Sequence, residues 1–164
     1  MVEPWLRGTL TEVDAVRRQV LHALELAGED VERWCAGMSE AEMQARPFGL
    51  APIVFHLRHI AHSLDRLLTY AEGGVLSEGQ LAALRTEMGA GPGIMRQFRD
   101  GLVSAAERVR QIEPGTFEQV RYVGRDRLPS TVGGLMVHCA EHTQRHVGQA
   151  ITMAKVVVGM RERG

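Results

Sequence analysis

Two histidines one helical turn apart are the residues of this chain best suited to chemistry. His142 and His146 lie in a segment, from about Pro129 to Met160, whose apolar residues recur with helical spacing. Buried imidazoles need polar partners, and two neutral imidazoles at i and i+4 can bind one metal ion. At ~100° per residue, both histidines fall on the stripe predicted to be buried, which contains Leu135, Cys139, His142, His146, Gln149, Ala150 and Met153.

A second stretch with helical spacing carries three more histidines. On its helical wheel, His56 lies ~70° from the centre of the apolar stripe, His59 ~130° and His62 ~170°. His56 is therefore predicted to point inward, His59 to lie at the margin and His62 to face water. The apolar stripe that sets this orientation consists of Ile53, Leu57, Ile60, Leu64 and Leu67.

Three imidazoles with one open position form a catalytic zinc site, in which bound water is acidified. The wheels predict that His56, His142 and His146 are the three ligands, and the alternative is a set of hydrogen-bonded histidines at the edge of the core. Of the nearby polar residues, His138 is predicted to lie behind the ligands or at the mouth of the site, and the alternative is that it is a fourth ligand. Gln149 either orients a ligand or joins two helices.

The other reactive side chains are predicted to have no chemical role. The carboxylates of Glu141 and Asp65 lie away from the stripe centres, so both are predicted to be solvated. Cys35 and Cys139 both lie in helical patterns and are predicted to be reduced core residues rather than a disulfide or metal ligands.

Four long helices are predicted to position these residues. Two serines, Ser39 and Ser77, begin capping-box patterns that predict short helices in the connections. Residues 116 to 129 alternate only weakly and are predicted to be a long crossing loop. The sequence therefore predicts an all-α four-helix bundle, one domain over residues 1–164, with long helices from about Thr9 to Ala36, Pro52 to Glu72, Ile94 to Ile112 and Pro129 to Met160.

The composition argues against several classes of function. The chain has 164 residues and a formal net charge of -1, and no cluster of Lys and Arg marks a nucleic-acid surface. No apolar run approaches the ~20 residues of a membrane span. The first residues lack the apolar core of a signal peptide. We therefore expect a cytoplasmic protein that binds neither nucleic acid nor membrane.

Three motifs give the chain a resemblance to the DinB-like superfamily of metal-binding four-helix bundles. The first is the connection from Gly37 to Pro47, which ends in Arg-Pro as in the family. The second is the aromatic Phe48, eight residues before His56. The third is His138-xxx-His142-xxx-His146-Val-Gly-Gln149, which is similar to the family's H-xxx-H-xxx-H-R-G-Q. It departs only at Val147, where Arg is common.

The resemblance also implies a ligand set. His142 and His146 match the two ligands of the family's last helix, and His56 matches the remaining ligand by its spacing from Phe48. His59 is the alternative, because the family's histidine is often followed by Ile-Ala, as His59 is.

The resemblance implies an activity as well. Characterised members mostly transfer a low-molecular-weight thiol (bacillithiol, mycothiol or glutathione) or isomerise with its help. We therefore expect a thiol S-transferase with a divalent metal, zinc or nickel, acting on a small-molecule thiol and an electrophile as a homodimer. The alternatives are a metal-dependent hydrolase and a non-catalytic, stress-linked protein whose metal is structural.

Overall fold

The computed structural model describes residues 2–89 and 91–162 and confirms a helical bundle. Four long helices, α1, α3, α5 and α6, form the bundle. Two short helices and a small hairpin lie in the connections. In chain order the elements are α1 (Ala15–Cys35), α2 (Glu40–Gln44), α3 (Ile53–Ala71), α4 (Glu78–Thr86), α5 (Ile94–Gln111), β1 (Val120–Val123), β2 (Leu128–Thr131) and α6 (Val132–Arg161). None of the described helices is long and apolar enough to cross a membrane.

Hydroxyl groups cap three of the helices, two of them at the capping boxes that the sequence predicts. Thr131 accepts a hydrogen bond from the backbone N–H of Gly134 and caps α6. Ser39 and Ser77 each form a complete capping box at the start of α2 and α4. These contacts satisfy N–H groups that have no partner within the helix, so they specify the start of each helix locally.

The first long helix begins six residues later than predicted. Leu10, which the apolar pattern includes in the helix, has a left-handed backbone with φ of 56°. The carboxylate of Asp14 instead accepts from the N–H groups of Val16 and Arg17, so α1 begins at Ala15. An Asp cap thus outweighs the apolar spacing that continues upstream of it.

Helix α3 occupies the middle of the bundle and packs against both α5 and α6. Its buried stripe follows the prediction except at its end, where Leu68 rather than Leu67 is fully buried. On a wheel of ~100° per residue the two lie about equally far from the centre of the stripe, so packing against the neighbouring helices, rather than the helical repeat, decides between them. The core face of α3 consists of Ile53, Leu57, Ile60, Leu64 and Leu68.

The predicted crossing loop before α6 contains a two-stranded antiparallel hairpin. Val120 lies opposite Thr131, and Val123 lies opposite Leu128. Arg121 anchors the hairpin to the bundle, because its Nε donates to the backbone carbonyl of Ala71 at 2.9 Å, at the end of α3. The hairpin is short and largely exposed, which explains why its apolar alternation is weak in the sequence.

Gly101 permits the close approach of α5 to α3, and we expect Gly101→Ala to destabilise the protein by ~1–3 kcal/mol. An added Cβ would lie 2.7 Å from Cβ of Ala61 and 3.1 Å from its Cα, so the two helices would have to separate. Urea unfolding measures the effect.

The matched control is Gly28→Ala in α1, where the nearest atom is Cδ1 of Leu102 at an ordinary 3.5 Å. We expect this change to stabilise the protein by up to ~1 kcal/mol, because alanine favours helix over glycine. If both changes stabilise the protein, the close packing of α5 on α3 does not require a glycine at position 101.

Candidate metal centre

Three histidines from two helices form the candidate metal centre. His59 of α3 and His142 and His146 of α6 each offer one ligand atom, and these atoms all lie within 4.8 Å of one another. The ring centroid of His146 lies 4.5 Å from that of His59 and 4.6 Å from that of His142. The i, i+4 spacing places the two α6 rings on one face of the helix, tilted by 58° to each other, and the packing of α3 against α6 brings the third ring to them.

His56 touches this cluster from the side. Its Nδ1 lies 3.0 Å from Nδ1 of His146, and its side chain is more buried than that of His59. That His56 is a metal ligand stays a prediction, whereas the group of mutually close ligand atoms contains His59. The cluster lies at the margin of the contact between α3 and α6, so a residue at the margin of the apolar stripe reaches it.

The buried face of α6 is rotated relative to the predicted stripe. Its centre runs through Cys139, Thr143, Val147 and Ala150, which are at most 1% exposed. His142 and His146 are half-buried beside this line, and Gln149 is exposed. The half-buried position gives both imidazoles access to solvent, which a site in the core centre would lack.

The carboxylate of Glu87 contacts the Nδ1 atom of His59. Its Oε2 lies 2.6 Å from His59 Nδ1, and its Oε1 accepts from Nη1 of Arg66 at 2.8 Å. Burial opposes ionisation of Glu87, but the hydrogen bonds from His59 and Arg66 outweigh it and lower the pKa of the carboxyl below its usual range. The sequence reasoning missed Glu87 because it lies at the end of α4, 28 residues from His59 in the chain.

His62 is not exposed to water as predicted, since its side chain is only 18% exposed. Its Nε2 lies 2.9 Å from Nε2 of Gln97 on α5, and its Nδ1 lies 3.6 Å from Oε1 of Glu87. The side of α3 that carries His62 is thus covered by α5 and by Glu87, the residue that follows α4. The helical wheel of α3 alone contains no information about these two neighbours.

The predicted surface carboxylates are confirmed. Glu141 is exposed and pairs with Arg145 and His138, and Asp65 is exposed and pairs with Arg108. The side chain of His138 is 43% exposed, and its ring lies 5.3 Å from that of His142.

Both cysteines are free and buried, as predicted. Burial raises the pKa of Cys35 to about 11 and that of Cys139 to about 12. Neither thiol is ionised at neutral pH, so neither is suited to act as a nucleophile.

The donor set fits a divalent metal ion such as zinc. Nε2 of His142 lies 2.9 Å from Nε2 of His59, and Nδ1 of His142 is buried without a hydrogen-bond partner. Burial first, and the neighbouring His59 second, lower the pKa of both His142 and His146 to about 4. All imidazole metal ligands must be uncharged, and these two are uncharged at neutral pH.

These pKa values predict that the metal-free protein loses stability as the pH falls from about 6.5 towards about 4. In that window His142 and His146 bind protons in the unfolded chain but not in the folded one, so protons favour unfolding. Urea unfolding at pH 7 and pH 5 with a chelator present measures the loss. In the double variant His142→Gln/His146→Gln, the decrease in the free energy of unfolding should be smaller. An equal decrease in both proteins would show that His142 and His146 do not cause it.

A cavity of about 570 Å³ opens beside the cluster, between the start of α3 and the middle of α6. His56, which contacts His146, forms part of its wall, so the cavity adjoins the candidate metal centre. Its volume is typical of sites for small molecules. The lining combines apolar and polar side chains and consists of Leu50, Ala51, His56, Arg145, Gly148, Gln149, Thr152, Met153 and Val156.

Comparison with known proteins identifies the family. Residues 23–150 match the family model described as DinB superfamily. The chain belongs to the DinB superfamily. The DinB match includes His56, His59, His142 and His146, so both candidate ligand sets lie within it. No curated protein and no solved structure matches the chain.

Proposed function

We propose that this DinB-superfamily protein is a metal-dependent S-transferase, which joins a low-molecular-weight thiol to a small electrophile. Zinc or nickel would be held by His59, His142 and His146, since imidazole suits both ions. The observation that carries the proposal is the half-buried three-histidine group beside a cavity of small-molecule size. Three protein ligands, rather than four, leave a position for substrate.

A metal ion on these ligands would lower the pKa of a bound thiol, so that the sulfur is present as thiolate at neutral pH. In the transfer, the thiol loses its proton to solvent, a carbon–sulfur bond forms, and the leaving group of the electrophile departs with its electron pair. Cys35 and Cys139 are buried and protonated, which supports a thiol supplied from outside the protein.

The cavity would bind the electrophile. Leu50, Met153 and Val156 offer an apolar wall, while His56 and Gln149 offer hydrogen-bonding groups. Such a mixture binds a compact, mainly apolar molecule and orients it through few polar contacts.

The experiment measures conjugation of a panel of small thiols to 1-chloro-2,4-dinitrobenzene by the metal-free and zinc-loaded or nickel-loaded protein. We expect product only with both metal and thiol. Thr152→Trp should fill the cavity and lower the rate while metal binding is kept; the control Val137→Trp, exposed on the same helix and outside the cavity lining, should change neither.

Other outcomes distinguish the alternatives. Metal-dependent ester or amide cleavage without any thiol would favour a hydrolase, because the same ligands also acidify water. A gain in stability on metal binding, with no turnover in either assay, would favour a structural metal in a non-catalytic protein. We further propose a cytoplasmic homodimer, for which a light-scattering mass near that of one chain would be contrary evidence.

A further inference from the structure

We propose that Glu87 is a positioning residue of the metal centre, which selects the tautomer of His59 and thereby presents Nε2 of His59 to the metal. The inference deepens the proposed metal site and rests on it. It adds a carboxylate from outside the histidine motifs, and it explains why His59 rather than His56 would complete the site.

The hydrogen-bond chemistry of the carboxylate determines the tautomer. An ionised carboxylate only accepts hydrogen bonds, so Nδ1 of neutral His59 must carry the proton that it donates to Oε2 of Glu87 across 2.6 Å. The lone pair of His59 is then on Nε2. That atom lies 2.9 Å from Nε2 of His142 and 3.3 Å from Oγ of Ser63.

The orientation of the His59 ring is fixed as well as its tautomer. Phe55 stacks on it, with a centroid separation of 5.4 Å and an interplanar angle of 16°. Metal-binding histidines commonly donate their other N–H to a carboxylate, which orients the ring and increases its basicity. His59 has this arrangement with a carboxylate, whereas His56 lies against another imidazole, that of His146, and hydrogen-bonds to the backbone of Ala51.

The position of Glu87 is unfavourable for helix stability alone. It is the C-cap of α4 and is 6% exposed, yet negative charge at a helix C-terminus opposes the helix dipole. Two buried arginines compensate: Arg66 pairs with Oε1 of Glu87, and Nη1 of Arg58 donates to the backbone carbonyls of Glu87 and Gly89. A carboxylate that needs such support is better explained by its contact with His59 than by stabilisation of α4.

The test compares zinc affinity in the wild-type protein, Glu87→Gln and Glu87→Asp by competition with a chromophoric chelator. We expect 10- to 100-fold weaker binding in both variants, as is typical when the partner of a ligand histidine is lost. Glu87→Asp keeps a negative charge for Arg66 but is one methylene too short for His59, so it tests the contact even if Glu87→Gln folds poorly. Circular dichroism of the metal-free proteins gives the folded fraction.

Asp65→Asn on α3 supplies the control. Asp65 is exposed and pairs with Arg108 rather than with a histidine of the cluster, so its replacement should leave zinc affinity unchanged. In addition, long-range proton–nitrogen NMR of the metal-free wild type should show His59 protonated on Nδ1, and Glu87→Gln should produce a mixture of tautomers.

The outcomes separate this inference from the proposed site. If the wild type binds no zinc, the metal site itself is wrong. If the wild type binds zinc and both Glu87 variants bind it equally well per folded molecule, the role of Glu87 is refuted while the site stands. A loss of stability without a loss of affinity, or an Nε2-protonated His59 in the wild type, would also refute it.

Discussion

Replacing His142 or His146 with alanine is expected to remove nearly all metal binding. Each supplies one of three mutually close imidazoles, so its loss should weaken binding by more than the roughly 100-fold that follows loss of a supporting hydrogen bond. Metal content after purification and calorimetric titration with zinc measure the effect. The matched control is His138→Ala on the same helix, which removes an imidazole outside the group of mutually close ligand atoms and should leave binding unchanged.

The same experiment on α3 decides the third ligand. We expect His59→Ala to lose the metal, because His59 belongs to the close group, and His56→Ala to keep it, because His56 contacts only the side of the cluster. The opposite result would restore the ligand set predicted from the sequence and would refute the site that the geometry favours.

Phe98→Ala is expected to destabilise the fold by ~3–5 kcal/mol, the usual cost of deleting a buried aromatic ring. Phe98 lies on α5 and is 1% exposed. Its replacement would leave an apolar cavity, which water does not fill favourably. Equilibrium urea unfolding of the metal-free protein measures the change without a contribution from ligand binding.

Val103→Ala on the same helix is the control for Phe98→Ala. Val103 is 59% exposed, so we expect an effect within about ±0.5 kcal/mol. A similar loss in both variants would contradict the assignment of the effect to the burial of Phe98, because alanine favours helix formation at both positions.

Features that depend on neighbours in the chain follow directly from the sequence. Thr131, Ser39 and Ser77 begin helices because a hydroxyl reaches N–H groups only two or three residues ahead. The stripe of α3 follows from the helical repeat, and the DinB match agrees with the motifs around His56 and His142. The all-α bundle was therefore predictable, as was the adjacent placement of His142 and His146.

Features that depend on distant contacts were not predictable in the same way. The hairpin of β1 and β2 is held to α3 by Arg121, a contact across 50 residues. His62 is covered by Gln97 of α5, so a single helical wheel placed it wrongly in water. In both cases the apolar pattern of one segment contains no information about the element that covers it.

The sequence by itself determined that two imidazoles of α6 lie one turn apart and that α3 carries histidines near them, because helical geometry is local. Only the tertiary structure shows which α3 histidine belongs to the group of mutually close ligand atoms. The axial rotation of α3 against α6 brings His59 within 4.8 Å of both ligand atoms, and α4 carries Glu87 to its far side. Burial alone would favour His56 as the third member of the group. The group lies at the margin of the contact between α3 and α6, however, and the half-buried side chain of His59 reaches that margin.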